Sequence, residues 1–277
     1  MCLGLSLKVP SRSQCALSFS PFILKRPSSS KRWQARQLRD RFTREATAQG
    51  LKSRAAFKLI QIDAKYRIFR NGQTVVDLGY APGSWSQVAV NRTGPNGRVL
   101  GVDIIPAQPL KGVSTIQGNF LDPSIQAYVQ DFLHDPTRAQ QHRPGIIPHV
   151  DQSHETSELD VDTKNPTDNC DKRTVDVVLS DMMMNTSGMC FRDHAGSMDL
   201  CRAALQFSFE VLKAGGHFVC KFYQGAEDKD LEKQLKQLFQ KVHRLKPESS
   251  RNESKEAYFI GLARKQHATR HEVLTSP

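Results

Sequence analysis

The sequence predicts an α/β fold: a doubly wound, Rossmann-like, mostly parallel sheet with helices on both faces. Three observations predict it. Short apolar runs of strand length alternate with stretches of helical periodicity along most of the chain. One apolar run ends in an acid, followed at once by a Gly-rich turn and a helix start. The length of 277 residues suits one large α/β domain with tails. No apolar run approaches the roughly 18 residues of a membrane span, so no membrane partner is expected.

The elements follow in order. A polar, helix-prone stretch runs from Arg32 through Gln49, and Gly50 breaks it. Ser53 is placed to cap a helix over 54–66, with Phe57, Ile60 and Ala64 near one face. A buried strand over 74–78 leads into a helix over 84–91, and the turn Gly94-Pro95-Asn96-Gly97 precedes a strand over 98–104. A third strand over 114–120 is followed by a helix over 125–133. Past an interruption come a strand over 175–180, a long helix over 198–212 closed by Gly215-Gly216, and a strand over 217–222. An amphipathic helix over 231–242 and a last strand over 257–263 complete the pattern.

The net charge of +11 points to a polyanionic partner. It is unevenly spread. Segment 134–172 carries eight acids against four Lys or Arg and few large apolar residues, too few to offset its ordering entropy. It reads as a disordered acidic insertion within one domain. Its histidines (His134, His142, His149 and His154) have no ligand-pair spacing, so no metal is expected. From Met1 to Arg39 there is no Asp or Glu, while Lys, Arg and Ser recur. That composition makes residues 1–31 a mitochondrial presequence or a disordered basic arm. Residues 265–277 read as a flexible tail. The six cysteines form no CxxC pair and read as reduced thiols, several of them buried.

The sharpest signal is the run from Val75 to Ser86. In an open α/β sheet the ligand crevice lies beyond the carboxyl ends of the strands, so this turn faces a ligand. Gly79 and Gly83 allow close backbone approach. The spacing is not GxGxxG, which argues against a dinucleotide pyrophosphate. Asp77 is positioned to meet a cationic amine. Asp103 ends the next strand about twenty residues beyond Gly83, where an acid accepts ribose hydroxyls. An acid for an amine and an acid for a ribose, without a phosphate loop, describe S-adenosylmethionine.

The run DLGYAPGSWSQ from Asp77 to Gln87 resembles the cofactor motif of the FtsJ-type ribosomal RNA ribose 2′-O-methyltransferases. SRAAFKL from Ser53, LSDM from Leu179, CKF from Cys220 and KPESSRNESKEAYFIGL from Lys246 match that family in the same order. The likeness covers 32–264 apart from the insertion. GYAPG, Phe191-Arg192-Asp193-His194 and the N-terminal segment are most similar to the fungal mitochondrial branch. The resemblance implies a class I S-adenosylmethionine-dependent methyltransferase fold with a seven-stranded sheet. It implies a cofactor site of Asp77, Gly79, Ala81, Pro82, Gly83, Ser84, Trp85, Asp103, Asn119 and Asp181. It further implies a uridine ribose in the peptidyl-transferase region of mitochondrial large-subunit rRNA as target, a pre-ribosomal particle as partner, and the matrix as location.

The family's Lys-Asp-Lys-Glu catalytic set falls on Lys58, Asp181, Lys221 and Glu256. Placement agrees: Asp181 and Lys221 lie at carboxyl ends of strands, Lys58 on the preceding helix, and Glu256 at the start of the last strand. Methyl transfer from a sulfonium is an in-line displacement, and the ribose hydroxyl is a weak acid that needs its proton removed or its charge stabilised. Lys221 is therefore expected as base or oxyanion stabiliser, with Asp181 orienting it and Lys58 and Glu256 positioning the ribose. Two departures stand out. Asn119 occupies a position where the family usually carries an acid near the adenine. The family's SDMAPN appears as Asp181-Met182-Met183-Met184-Asn185, without the proline, and the methionines read as packing residues.

The expected RNA surface combines Arg32, Arg36, Arg39, Arg41, Arg44, Lys52 and Arg54 with Lys246, Arg251 and Lys255. Two rival readings remain: the same chemistry on tRNA or an mRNA cap, and an rRNA-binding assembly factor with little catalysis. The intact set of Lys58, Asp181, Lys221 and Glu256 argues against the second.

Overall fold

The structure, a computed structural model, describes residues 40–108, 110–135 and 173–274. The presequence expected at 1–31, the cationic stripe Arg32, Arg36 and Arg39, and residues 136–172 of the expected insertion lie outside them. Helices α1 (Arg41–Ala48) and α2 (Ala55–Tyr66) precede β1 (Thr74–Leu78), α3 (Ser84–Thr93), β2 (Arg98–Asp103), β3 (Val113–Gln117) and α4 (Pro123–His134). Then come β4 (Val175–Ser180), α5 (Cys190–Val211), β5 (Leu212–Tyr223), α6 (Asp228–Leu238), β6 (Phe239–Leu245), β7 (Glu256–Arg264) and α7 (Arg270–Leu274). Among the described residues no helix is long and apolar enough to cross a membrane.

The strands form one seven-stranded sheet in the order β3-β2-β1-β4-β5-β7-β6. Strands β1 to β5 run parallel, and β7 is antiparallel to both neighbours. The two faces bury different partners because side chains alternate along a strand. Val76, Leu78, Val178, Phe218, Cys220 and Phe222 pack with α4, α5 and α6. Val75, Val177, Leu179, Val219, Tyr258 and Ile260 pack with α2 and α3. Lys221 shares the parity of Val219, so its side chain belongs to the α2–α3 face. The sheet reverses its winding beside β1, and the tips of β1 and β4 adjoin there: the Asp181 N–H donates to the Leu78 carbonyl at 3.0 Å.

Several expectations need correcting. Helix α2 starts one residue later than expected, at Ala55 with Arg54 in the cap position, although the Ala55 N–H still donates to Ser53 Oγ at 3.1 Å. Its buried face, however, is Ala56, Phe57, Leu59, Ile62 and Asp63, with Ala64 exposed. Helix α5 begins at Cys190 rather than 198, because two polar residues, Asp193 and His194, are buried in its first turns. Gly215-Gly216 closes no helix; both lie within β5, which starts directly at Leu212. The helix expected over 231–242 ends at Leu238, and the chain continues as β6, whose backbone pairs with β7. The tail is partly ordered: α7 buries Val273 completely against the core. Cys201 and Cys220 are buried thiols with sulfurs 3.3 Å apart.

Candidate active site

The Gly-rich turn is held open by three devices. Gly79 and Gly83 both have positive φ, at 83° and 100°, which L side chains rarely adopt. A Cβ on Gly79 would lie 2.7 Å from the Met182 backbone nitrogen, so only glycine lets the β1 and β4 tips meet. The Asp103 carboxylate pins the turn, accepting from the Ala81 N–H at 2.8 Å and from the Ile105 N–H at 2.8 Å. Tyr80 fills the space above Gly101, and its hydroxyl donates to the Gln108 carbonyl at 3.0 Å. Pro82 is exposed at the turn's rim.

Behind the turn, Asp77 is fully buried. Its Oδ2 accepts from Ser86 Oγ at 2.6 Å, while Oδ1 has no partner. Burial pushes this carboxyl up to about 7, against the Ser86 hydrogen bond and with the Asp181 charge adding to the rise. A buried carboxylate oxygen without a donor is a place where a cationic ligand group fits. Ser84 and Trp85 are buried at the start of α3. Ser84 Oγ lies 2.7 Å from Ser53 Oγ, and the Trp85 indole N–H donates to the Ala55 carbonyl at 3.0 Å. Both side chains thus brace the turn, and what they offer a ligand is the amide edge of a helix N-terminus. Asn119 is exposed beyond β3, its Oδ1 accepting from the Leu121 N–H at 3.1 Å, which leaves its amide Nδ2 for a ligand.

Beside this cradle the structure brings the four expected catalytic residues together as two ion pairs. Lys221 Nζ lies 3.0 Å from Asp181 Oδ1 and donates to the Asp181 carbonyl at 2.6 Å. Lys58 Nζ lies 2.7 Å from Glu256 Oε1. All four side chains are between 8% and 18% exposed, so both pairs are shielded without being sealed. The antiparallel register explains the convergence: Lys221 lies opposite Tyr258 and Tyr223 opposite Glu256, and opposed residues share a face.

Tyr258 links the two pairs, a role not visible in the sequence. Its hydroxyl donates to Asp181 Oδ1 at 3.2 Å, and Lys58 Nζ lies 5.8 Å from its ring centre. Burial first, then the Asp181 and Glu256 carboxylates, hold the phenol well above its usual range, so it remains a donor. The signal was the period-two spacing from Glu256, which needed the β5–β7 register to be useful.

Two further residues brace the rim. Asp193 accepts from the Ser187 N–H, the Ser187 hydroxyl and the Gly188 N–H at 2.7, 2.8 and 3.1 Å. Those bonds, the Ser187 amide first, hold its carboxyl below the usual range. His194 Nδ1 donates to the Tyr223 carbonyl at 2.7 Å, and Nε2 accepts from the Glu227 N–H at 3.1 Å. Of the three methionines after Asp181, Met182 packs on the core and Met184 adjoins Gly196. Met183 departs from the expected packing role and is 60% exposed.

The expected RNA surface is only partly available. The Arg54 guanidinium pairs with Asp40 and donates to the Ser249 carbonyl, and Arg251 lies 3.6 Å from the same Asp40 carboxylate. Lys246 Nζ donates to the Asn252 and Ser254 carbonyls at 3.0 and 2.7 Å. These three cations hold the 246–255 loop; Arg54 and Arg251 share the Asp40 charge, while exposed Lys246 keeps one N–H beyond its two carbonyl bonds. Arg41, Arg44, Lys52 and Lys255 remain exposed.

A model of the FtsJ-like methyltransferase family matches residues 51–264. The chain is 40% identical to rRNA methyltransferase 2, mitochondrial, of Saccharomyces cerevisiae, over 90% of this chain and 92% of the yeast protein. It is 39% identical to the protein of the same name from Schizosaccharomyces pombe, over 84% of this chain and 95% of that one. To ribosomal RNA large subunit methyltransferase E of Gluconobacter oxydans it is 36% identical, over 85% of this chain and 73% of the bacterial protein. A crystal structure of a Plasmodium falciparum ribosomal RNA methyltransferase aligns with a TM-score of 0.58 and 25% identity, covering 77% of this chain and 98% of that one. With the cradle, the paired lysines and carboxylates, and these matches together, the chain belongs to the FtsJ-like methyltransferase family.

Proposed function

We propose that this chain moves a methyl group from S-adenosylmethionine to the 2′-hydroxyl of a uridine ribose in mitochondrial large-subunit rRNA, within a pre-ribosomal particle in the matrix. The names of the yeast relatives support rRNA as the substrate class and the mitochondrion as the organelle, and that of the Gluconobacter relative supports the large subunit. One observation carries the chemistry: the Lys221 ammonium is held by Asp181 at the β4–β5 edge, next to the turn bearing Gly79.

The cradle residues fit the cofactor. Asp77 Oδ1 would face its cationic part, Gly79, Ala81, Pro82 and Gly83 would admit it to the backbone, and the amides of Ser84 and Trp85 would line one side. Asp103 would take ribose hydroxyls through lone pairs not used by Ala81 and Ile105, and Asn119 would offer an amide hydrogen bond. When bound, S-adenosylmethionine supplies an electrophilic methyl carbon on a sulfonium.

This chain's residues hold and polarise the acceptor. An ammonium has three N–H donors, and Asp181 engages two of Lys221's through its carbonyl and Oδ1. The remaining N–H is directed by that grip toward the ribose oxygen, where it stabilises the negative charge that develops as that oxygen bonds to the methyl carbon and its proton passes to bulk water, which reaches the partly exposed pairs. Tyr258 keeps Asp181 Oδ1 in place. The Lys58–Glu256 pair flanks the ribose and fixes its orientation, and such positioning is worth up to about 7–11 kcal/mol.

Ribose-methylation mapping of mitochondrial large-subunit rRNA with and without the protein tests the substrate. One mark should disappear; an unchanged map overturns the reading. Lys221→Ala should lower methyl transfer about 10²–10⁴-fold while calorimetry shows cofactor binding retained. If Lys221→Ala restores subunit assembly without the mark, the chain acts as an assembly factor instead.

A further inference from the structure

The described residues expose few large apolar side chains, and three of them fall in the segment from the end of β4 to the first turn of α5: Met183 at 60%, Met189 at 56% and Phe191 at 83% exposed. An exposed apolar group of this size beside a polar centre marks a contact surface. Its placement is fixed from two directions. Met183 Sδ lies 3.7 Å from the Tyr223 hydroxyl, and Tyr223 lies two positions along β5 from Lys221, on the same face. The 187–189 turn is tied to α5 through Asp193, and α5 is tied to the end of β5 through His194. The ledge therefore moves with Lys221 and is not a loose loop.

The sheet order sets the side on which it lies. The cradle follows β1, Asp181 follows β4, and Lys221 and Tyr223 end β5, so Asp181 separates the cradle from Tyr223. Consecutive methionines serve the two sides: Met182 abuts Gly79, while Met183 meets Tyr223. A ribose whose 2′-oxygen reaches Lys221 carries its base on the adjacent ring carbon. With one side filled by the methyl donor, that base must come to rest on the other. Flanking charge fits the rest of a nucleotide: exposed Arg192 and Lys255 border the ledge, with Lys255 Nζ 3.1 Å from Cys190 Sγ.

We propose that Phe191, with Met183 and Met189, is the stacking ledge for the unstacked nucleobase of the target nucleotide. This rests on the ribose-methylation reading above and adds the recognition of the base to it. Stacking explains why the apolar group includes an aromatic ring, because a base presents a π-face whatever its sequence.

Steady-state methylation of large ribosomal subunits from cells lacking the protein tests it. Phe191→Ala should raise KM for the subunits roughly tenfold, with kcat and cofactor binding close to wild type, and Phe191→Tyr should restore KM. Phe191→Leu, apolar but without a ring, should stay near the alanine variant. A KM for Phe191→Ala within about twofold of wild type, below the usual range for loss of base stacking, overturns the ledge and leaves the patch to a protein contact. Leucine rescuing as well as tyrosine overturns stacking. If the wild-type protein does not methylate these subunits at all, the methylation reading falls and the ledge with it, which distinguishes the two failures.

Discussion

At the scale of single residues, Asp77 is the group whose charge state the cofactor should change. Its folded pKa of about 7 lies above the ordinary value of 3.8 because the carboxyl is buried. A raised acid favours the folded state while protonated, so the stability it confers is present at low pH and lost as pH rises from 3.8 towards 7. Asp77→Asn should flatten the stability profile of the cofactor-free protein over that range, measured by urea unfolding at several pH values. A cation placed against Oδ1 lowers this pKa, so cofactor binding near neutral pH should release a proton. Calorimetry in buffers of different ionisation enthalpy reads that release; equal heats in all buffers, or release persisting in Asp77→Asn, contradict the assignment. The residue scale was also the most legible in sequence. Lys58, Asp181, Lys221 and Glu256 lie in short motifs that kept their order, and the structure joins them. Tyr258 and Tyr223 were not legible, because their place depends on how β7 lies against β5. Arg54 and Arg251, both expected on the RNA surface, share the Asp40 carboxylate, a pairing that no local motif signals.

At the scale of elements, buried parallel strands announce themselves and boundaries set by pairing do not. β1 and β4 are short, mostly apolar runs rich in valine, and both sets of bounds agree with the sequence reading. Leu231, Leu235, Leu238 and Val242 keep a helical spacing straight through the end of α6. What stops the helix is the unpaired edge of β7, which only a neighbouring strand satisfies. The turn between β5 and α6 shows a similar nonlocal dependence. A methyl group on Gly225 would collide with the His194 ring, whose two nitrogens hold Tyr223 and Glu227. Gly225→Ala should therefore cost about 1–3 kcal/mol by overpacking, read in urea unfolding, and should lower methyl transfer because the displaced strand end carries Lys221. Helix α7 gives a second test. Deleting residues 270–277 removes the fully buried Val273 and should cost about 1.5–3 kcal/mol, seen as a lower Tm. An unchanged Tm would return this segment to a flexible tail.

At the scale of the whole molecule, a net charge of +11 faces a polyanion, and phosphate contacts release counterions when they form. RNA binding should weaken steeply with salt, while cofactor binding, governed by a shielded cradle, should change little. Titrations at several salt concentrations would separate the two, and parallel slopes would contradict the division. The Asp40 carboxylate has a consequence for any trimmed version of the enzyme. Its single charge is shared by Arg54, at the head of the helix carrying Lys58, and Arg251, on the loop leading to Glu256. A chain begun after residue 40 would leave two guanidiniums facing each other without their shared counter-charge. Their repulsion would draw the lysine and glutamate of one ion pair apart, so a safe starting point lies upstream of that aspartate.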